Sequence, residues 1–489
     1  MKRVMNSIRC PINAAAEYYE KLPALIAGDY VISYSEYEQL VASAAARLKE
    51  TGVSKGERVA IVSNNRWEYP ILLFALLRLG AVACAVSPRF PQESIRSLLK
   101  KIDCSKVVDP IERLTSVTSH EMRRIDLNTI IRRLESNGHI TSSNVVIDLN
   151  HDATIIFTSG SSAHPKAVLH SFGNHYYSAL GSNKNIIVQP GDRWLLSLPL
   201  YHVGGLGILF RTLIGGGAVV IPGNKENIVE SIEVHDITHL SLVSTQLYRL
   251  LNKGVSPAKV KRLKAVLVGG SAVPASLITR AYECGLPLFT TYGLTEMASQ
   301  VTTTHPHEPL DRLFSSGEVL DYRSLKVDNG GEILVKGKTL FKGYVEGTMT
   351  TLPVDDEGWF RTGDLGLLDS DGYLKFLGRK DNMFISGGEN IHSEEIEGVL
   401  CLLNEVVEAL VVPIEDEEFG FRPVAFIRSP EGKQIDKRGV ALHLERYLPR
   451  FKIPISFYEW PEGVRDGRLK LDRHYFAKLA QALRQKGLK

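Results

Sequence analysis

The sequence predicts an α/β fold: a large N-terminal domain of parallel-rich sheets sandwiched by helices plus a β-rich subdomain, followed by a small α+β C-terminal domain. Three observations carry the prediction. First, apolar residues recur at helical spacing over residues 34–48 and give way to a short buried-strand run over 57–63. The same alternation returns at 69–79 with 81–86, and at 228–234 with 240–243. Strands separated by helices argue for parallel sheets covered on both faces. Second, after about Gly317 the texture changes to short alternating strands at 332–335 and 373–377, broken by Gly and Asp turns. Such turns suit antiparallel pairing. Third, the polar run Gly378-Arg379-Lys380-Asp381-Asn382 follows a strand pattern. Beyond it come a helix at 393–402, strands at 406–412 and 424–427, and further helices. That is enough for one small domain of roughly a hundred residues. The expected units are therefore 1–379 and 380–489, with a hinge near Asp381.

Composition narrows the class. With 489 residues, 44% apolar and 23% charged, the chain is an ordinary globular protein of two to four folding units. Its 58 basic and 55 acidic residues leave a formal charge of +3. The densest basic stretch, residues 259–264, holds four cations in six positions and reads as a solvated helix face rather than a nucleic-acid site. Five cysteines are scattered without any C-x-x-C spacing, which disfavours a disulfide framework or structural zinc and fits a reducing cytoplasm. Residues 1–13 have no apolar core of a signal peptide. Residues 69–88 are the most apolar stretch, but Arg78, Gly80 and a proline at each end suit a buried helix, turn and strand better than a membrane span. No integral membrane segment is expected.

The most informative segment is residues 155–168, IIFTSGSSAHPKAV. A buried strand runs into a hydroxyl-rich loop closed by Pro165 and Lys166. Backbone N–H groups, hydroxyls and one ammonium in such a loop can surround phosphate oxygens, which need many convergent donors. The Gly-Lys-Ser/Thr of a Walker A loop is missing. By itself the segment reads equally as a Ser-rich surface turn.

Thr158-Ser-Gly-Ser-Ser-Ala-His-Pro-Lys166 resembles the phosphate loop of the adenylate-forming superfamily of acyl-CoA synthetases, peptide-synthetase adenylation domains and luciferases. Further motifs similar to that family's follow in order: Pro199-Leu-Tyr-His202, Val268-Gly-Gly-Ser-Ala272, Tyr292-Gly-Leu-Thr-Glu296, Gly343-Tyr344, Arg361-Thr-Gly-Asp364, Gly378-Arg-Lys-Asp381 and Ser386-Gly-Gly-Glu-Asn-Ile391. The resemblance spans residues 30–475. It implies ATP, Mg²⁺ and CoA as cofactors and co-substrates, a carboxylic acid as substrate, and a mobile C-terminal domain.

Residue by residue, the resemblance implies that Thr158, Ser159, Gly160, Ser161, Ser162 and Lys166 hold the β- and γ-phosphates. Thr295 would touch the α-phosphate and Glu296 would bind Mg²⁺, which prefers one carboxylate plus phosphate oxygens and water. Gly270, Ser271, Tyr292 and Gly293 would line the adenine and acyl sides, Asp364 the ribose, and Arg379 would support the nucleotide. Ser386, Gly387 and Gly388 would meet CoA. Asp466-Gly-Arg-Leu-Lys470-Leu-Asp-Arg473 resembles the catalytic-lysine element, with Leu469 in place of the usual glycine. Lys470 would bridge the attacking carboxylate and the phosphate; a surface lysine is the alternative. Ala163 and Ala167 also replace glycines of the phosphate loop without removing a ligand.

Residues 172–211, with Trp194-Leu-Leu-Ser-Leu-Pro-Leu-Tyr-His-Val-Gly-Gly-Leu-Gly-Ile-Leu-Phe-Arg211, resemble bacterial o-succinylbenzoate-CoA ligases of menaquinone synthesis. Arg211, in an apolar helix, needs a partner because an unpaired buried charge is expensive. The aromatic carboxylate of that acid is an apt one; a protein acid, or surfacing at the helix end, is the alternative. His202 would line the acyl pocket or be a satisfied core histidine. No carrier-protein domain follows residue 489, so free CoA is the expected acceptor, and a homodimer is compatible with the resemblance. The rival functions are another aryl- or fatty-acyl-CoA ligase, an adenylating enzyme that loads a separate carrier protein, and a non-catalytic binder on a decayed scaffold. The retained Lys166, Thr295, Glu296, Asp364 and Lys470 argue against the last.

Overall fold

A computed structural model describes residues 6–485 apart from 111–113, 115–121, 132–144, 159–164, 224–225, 271–272, 387–388, 417–418, 431–434, 462–463 and 465–471. Two large sheets build the N-terminal part. One has eight strands in the order Met349–Thr351, Gly343–Glu346, Lys166–Ser171, Asp152–Thr158, Val82–Val86, Arg58–Val62, Lys106–Val108 and Arg123–Arg124. It is parallel from Asp152–Thr158 to Arg123–Arg124 and antiparallel on the other side. The other has nine strands: Glu318–Val319, Ser299–Thr303, Leu288–Leu294, Ala265–Val268, His239–Leu242, Arg193–Leu195, Ala218–Ile221, Pro23–Ala27 and Tyr30–Ser33. Its six inner strands are parallel and its edges antiparallel.

Helices Tyr34–Glu50, Glu68–Leu79, Phe172–Asn185 and Val203–Gly215 lie between the two sheets, because one apolar cluster joins them to Ile61, Ala83 and Ile156 on one sheet and to Leu25, Val219 and Phe289 on the other. Ala60 and Val62, the neighbours of Ile61, face the opposite side with Ile95, Leu98 and Leu99, as the two-residue period of a strand requires. Local chemistry sets the helix ends. Ser33 and Glu36 form a capping box at the start of Tyr34–Glu50. Gly80 and Gly216, in left-handed conformation at φ +70° and +75°, end Glu68–Leu79 and Val203–Gly215.

Strands Arg323–Val327, Glu332–Gly337, Phe360–Leu368 and Leu374–Arg379 form an antiparallel sheet, as the change of texture after Gly317 predicts. Residues from Met383 onward build a separate sheet of Glu389–His392, Met383–Ser386, Gly420–Arg428, Glu408–Asp416 and Phe457–Glu459. Helices Ser393–Leu400 and Lys437–Glu445 cover one face through Ile396, Leu400, Val440 and Leu444. Helix Arg473–Gln485 covers the other through Phe476 and Ala480. Ser276 Oγ donates to the Cys401 carbonyl at 2.8 Å across the two parts.

The basic stretch departs from expectation. Helix Pro257–Val260 stops before Lys261, because the chain must turn at buried Leu263 into the strand Ala265–Val268. Lys259 and Arg262 pair with Asp236 at 2.8 and 3.0 Å, and Lys264 with Asp192 at 2.7 Å. All five cysteines are free. No helix among the described residues is long and apolar enough to cross a membrane.

Arg78, the one charge in the apolar 69–79 helix, is buried against Glu38 of the neighbouring helix at 2.5 and 2.9 Å. Asn13 Nδ2 also donates to Glu38 at 3.3 Å. Removing one partner strands the other charge, so Glu38→Ala should cost about 3–5 kcal/mol, while the paired change Glu38→Leu with Arg78→Met should cost less. Urea unfolding of the three proteins checks the order.

Candidate active site

Strands Asp152–Thr158 and Lys166–Ser171 pair antiparallel with Thr158 opposite Lys166, so the hydroxyl and ammonium expected at the phosphates sit on neighbouring stems. Ser159, Gly160, Ser161 and Ser162 lie outside the described residues. Lys166 Nζ is 4.8 Å from the centre of the Tyr344 ring, and the Tyr344 hydroxyl donates to Glu296 Oε1 at 2.8 Å. Burial, reinforced by the Glu296 carboxylate, pushes the Tyr344 phenol well up, so it stays a donor. Lys166, Tyr344 and Glu296 thus form one chain of contacts.

Thr295 and Glu296 stand on a one-turn 3₁₀ helix, Thr295–Met297, at the end of strand Leu288–Leu294. The chain leaves this turn through Ala298 at φ +52° and Ser299 at φ +123°. Non-glycine residues held there cost about 1–3 kcal/mol each, so the turn must be held from outside. The Phe341 N–H donates to the Glu296 carbonyl at 2.8 Å and Ser178 Oγ to that of Ala298 at 2.9 Å. The Thr295 carbonyl receives the Ala298 N–H at 3.0 Å and lies 2.7 Å from His170 Nε2. Gly293 is obligatory: a Cβ there would stand 2.3 Å from the Ser299 carbonyl oxygen.

On the side expected to meet the nucleotide, the Tyr292 hydroxyl donates to Asp364 Oδ2 at 2.7 Å, and Arg379 Nη1 lies 3.0 Å from Asp364 Oδ1. Burial, reinforced by Asp364, pushes the Tyr292 phenol well up. Burial alone would lower the Arg379 pKa, but the Asp364 and Asp381 carboxylates outweigh it and raise it. Gly270, at φ +85°, follows strand Ala265–Val268; Ser271 lies outside the described residues.

On the side expected to meet the acid, His202 stands just before helix Val203–Gly215 without a side-chain capping bond, its ring 4.8 Å from that of Tyr201. Asn65 clamps the segment before it: Nδ2 donates to the carbonyls of Leu196 and Leu198 at 3.2 and 2.9 Å, and Oδ1 accepts the Leu200 N–H at 2.9 Å. Arg211 is 1% exposed. Its Nη2 donates to Ser299 Oγ at 3.1 Å, its guanidinium lies 5.2 Å from the Trp194 ring centre, and its Nε has no partner. No carboxylate among the described residues pairs with it, and burial pushes it down to about 9. Neither an acid among the described residues nor an exposed helix end answers the charge.

Residues 12–345 match the family described as AMP-binding enzyme. The chain belongs to that family. It is 33% identical over 464 residues to the 2-succinylbenzoate–CoA ligase of Bacillus pumilus, covering 92% of this chain and 94% of that one. The o-succinylbenzoate CoA synthetase of Bacillus subtilis, in complex with the acyl-adenylate intermediate OSB-AMP, has a similar structure: TM-score 0.85 and 29% identity over 96% of this chain and 98% of that one. The same Bacillus subtilis enzyme in complex with ATP and magnesium ion gives TM-score 0.84 at 29% identity, covering 96% and 99% of the two chains. The α/β fold with a large N-terminal and smaller C-terminal part is the one shared with these AMP-binding enzymes.

The remaining expected residues lie apart from the Thr295 turn or outside the description. Asp381 is in the 3₁₀ turn Lys380–Asn382, 3.4 Å from Arg379 Nη2. Ser386 is buried at the end of strand Met383–Ser386, paired with Glu389 and Gly420. Gly387, Gly388 and Lys470 lie outside the described residues. Arg473, three positions on, is tied to Glu397 at 2.6 and 2.8 Å.

Sequence reading assigned no role to Tyr344, Asn65 or His170. The Gly343-Tyr344 pair was a visible motif, but its contact with Glu296 crosses from one sheet to the turn of another. His170 looks like a core position between Leu169 and Ser171. It is fully buried, 2.7 Å from the Thr295 carbonyl, and burial pushes it down to about 4 despite that carbonyl, which raises it.

An imidazole at the ordinary 6.5 binds a proton in the unfolded chain at pH values where His170, at about 4, does not. The stability held by this site is therefore complete above pH 6.5 and is lost as pH falls towards 4, by up to about 3 kcal/mol. Unfolding followed from pH 7 to 4 should show that slope, and His170→Gln should make it shallower by the share of His170, leaving those of the buried His175 and His239.

Proposed function

We propose that this chain is an AMP-forming acyl-CoA ligase that activates o-succinylbenzoate with ATP and transfers the acyl group to CoA, a step of menaquinone biosynthesis. The observation that carries the acid's identity is Arg211: a fully buried guanidinium beside Ser299 with one nitrogen unpartnered. A second carboxylate on the substrate, remote from the one that reacts, answers that charge. The 2-succinylbenzoate–CoA ligase relatives support the same acid.

In the first half-reaction the succinyl carboxylate attacks the α-phosphorus and pyrophosphate leaves. Thr158 and Lys166, with Ser159, Gly160, Ser161 and Ser162, hold the departing phosphates, and Thr295 meets the α-phosphate. Lys470 bridges the two anions, where a fixed cation favours the charge that develops. Glu296 suits Mg²⁺: it is one carboxylate beside a phosphate site, and no cluster of three or more His, Cys, Asp or Glu ligands occurs among the described residues, as befits an ion completed by phosphate oxygens and water. When bound, the ion neutralises charge on the phosphates. Asp364, fixed by Tyr292 and Arg379, holds the ribose. Gly270, Ser271 and Gly293 line the adenine and acyl sides, and His202 lines the acyl pocket.

In the second half-reaction the CoA thiolate attacks the acyl carbonyl and AMP leaves. Residues 1–379 and 380–489 act as two units turning about Asp381, which withdraws Lys470 and brings Ser386, Gly387 and Gly388 to the pantetheine arm. The separate sheet and apolar clusters from Phe384 onward support that division. The five free cysteines suit a reducing cytoplasm.

Two measurements test this. With ATP and Mg²⁺, thioester formation should be far faster from o-succinylbenzoate than from 3-benzoylpropionate, which lacks only the ring carboxylate. Arg211→Met should erase most of that preference, about 10–100-fold for one charged hydrogen-bonded contact. Equal use of both acids by the unaltered protein would discard the assignment. Separately, Lys470→Ala should abolish adenylate formation yet leave thioester formation from a supplied acyl-adenylate; equal loss of both would contradict its role.

A further inference from the structure

Behind the phosphate side of the site lies a buried polar cluster that no step above uses. Thr154, His170 and His175 are at most 2% exposed and sit on three elements: strand Asp152–Thr158, strand Lys166–Ser171 and helix Phe172–Asn185. His175 Nε2 is 2.7 Å from Thr154 Oγ1, which is 3.4 Å from His170 Nδ1; His170 Nε2 is 2.7 Å from the Thr295 carbonyl. The two rings are 4.9 Å apart, and His175 stacks on Phe210 at 5.1 Å.

Complementarity orders the protons. A carbonyl only accepts, so His170 carries its proton on Nε2 and accepts at Nδ1 from the Thr154 hydroxyl, which in turn accepts the Nε2 proton of His175. Burial keeps both rings neutral by lowering their pKa values, so each has one N–H to give. The Thr295 carbonyl already accepts the Ala298 N–H at 3.0 Å. His170 is therefore not needed to satisfy it. What the second bond adds is direction: it pulls the carbonyl towards the sheet, at the start of a turn that leaves through two strained residues.

We propose that His170 is a positioning residue for adenylation, holding the Thr295–Met297 turn so that the Thr295 hydroxyl and Glu296 carboxylate meet the phosphates and the divalent cation. Thr154 and His175 fix the ring that does so. This rests on the roles of Thr295 and Glu296 stated under the proposed function.

The test compares His170→Leu, which fills the space without a donor, with His170→Gln, whose amide N–H reaches the same way. Pyrophosphate release, its Mg²⁺ dependence, KM for the acid, and thioester formation from a supplied acyl-adenylate are measured for each. His170→Leu should slow pyrophosphate release and raise the half-saturating Mg²⁺ by about tenfold or more, the usual scale for losing a support of a metal-site ligand. KM for the acid and thioester formation from the adenylate should stay near the unaltered values, and His170→Gln should recover most of the loss. Unchanged pyrophosphate release in His170→Leu, or equal loss of both half-reactions without recovery in His170→Gln, would overturn the proposal. Should His170→Leu fail to fold, Thr154→Val carries the same test, with the same half-reaction slowed several-fold. Glu296→Gln separates the two layers: if it keeps a normal Mg²⁺ dependence, the reading of Glu296 has failed; if it loses it while His170→Leu does not, only the role of His170 has.

Discussion

Ser299 at φ +123° is the constraint on which the site depends. The backbone between Gly293 and Ser299 folds back so tightly that a single added methyl at Gly293 would collide with the Ser299 carbonyl. The Ser299 hydroxyl at the end of that fold-back receives Arg211 Nη2, while Glu296 within it receives the Tyr344 hydroxyl. Strain of this kind persists only where its surroundings over-determine the geometry. Here they come from four directions: His170 from one sheet, Ser178 from a helix, Phe341 from the loop before Gly343, and Arg211 from a second helix.

Charge burial gives the same region its character. Arg78 is buried with a carboxylate and belongs to the helix pair it joins. Among the described residues Arg211 has no carboxylate partner, and Arg323 has only the nearby Asp321 charge without an ion pair to it. Arg323 donates to the carbonyls of Gln300, Asp321 and Ser178, and burial, then the nearby Arg211, pushes it down to about 9. Backbone carbonyls satisfy its donors, whereas Arg211 is left with a hydroxyl, a ring face and a free Nε. Arg211, a buried cation without an acid among the described residues, makes this region receptive to an anion.

The two halves of the chemistry are built on different principles. The nucleotide side rests on carboxylates already engaged: Asp364 by Tyr292 and Arg379, Glu296 by Tyr344. Tyr292 and Tyr344 both have raised phenol pKa values, so each carboxylate keeps a neutral donor, and Asp364 has the Arg379 cation besides. The proposed acyl side adds shape to the buried Arg211 charge, with Asn65 fixing the segment before His202 through three backbone contacts.

Much of this was legible in the chain. Alternating helix and strand periods placed Tyr34–Glu50, Arg58–Val62, Glu68–Leu79 and Val82–Val86 to within a few residues, because burial on both faces of a parallel sheet writes itself into local hydrophobic runs. Motif order pointed to Lys166, Thr295, Glu296 and Asp364 through the family resemblance, which implies that they meet phosphate, metal and ribose. The partners of those residues were not legible. Tyr344 reaches Glu296 over 48 positions, Asn65 reaches Leu200 over 135, and His170 reaches Thr295 over 125. Each is a contact between elements that only sheet packing brings together, and nothing local in a strand residue such as His170 records what lies across the layer. For Arg211 the sequence determined that a charge lay in an apolar helix; that no acid among the described residues answers it was decided by the tertiary structure, because pairing depends on which side chains surround the helix rather than on which precede or follow it.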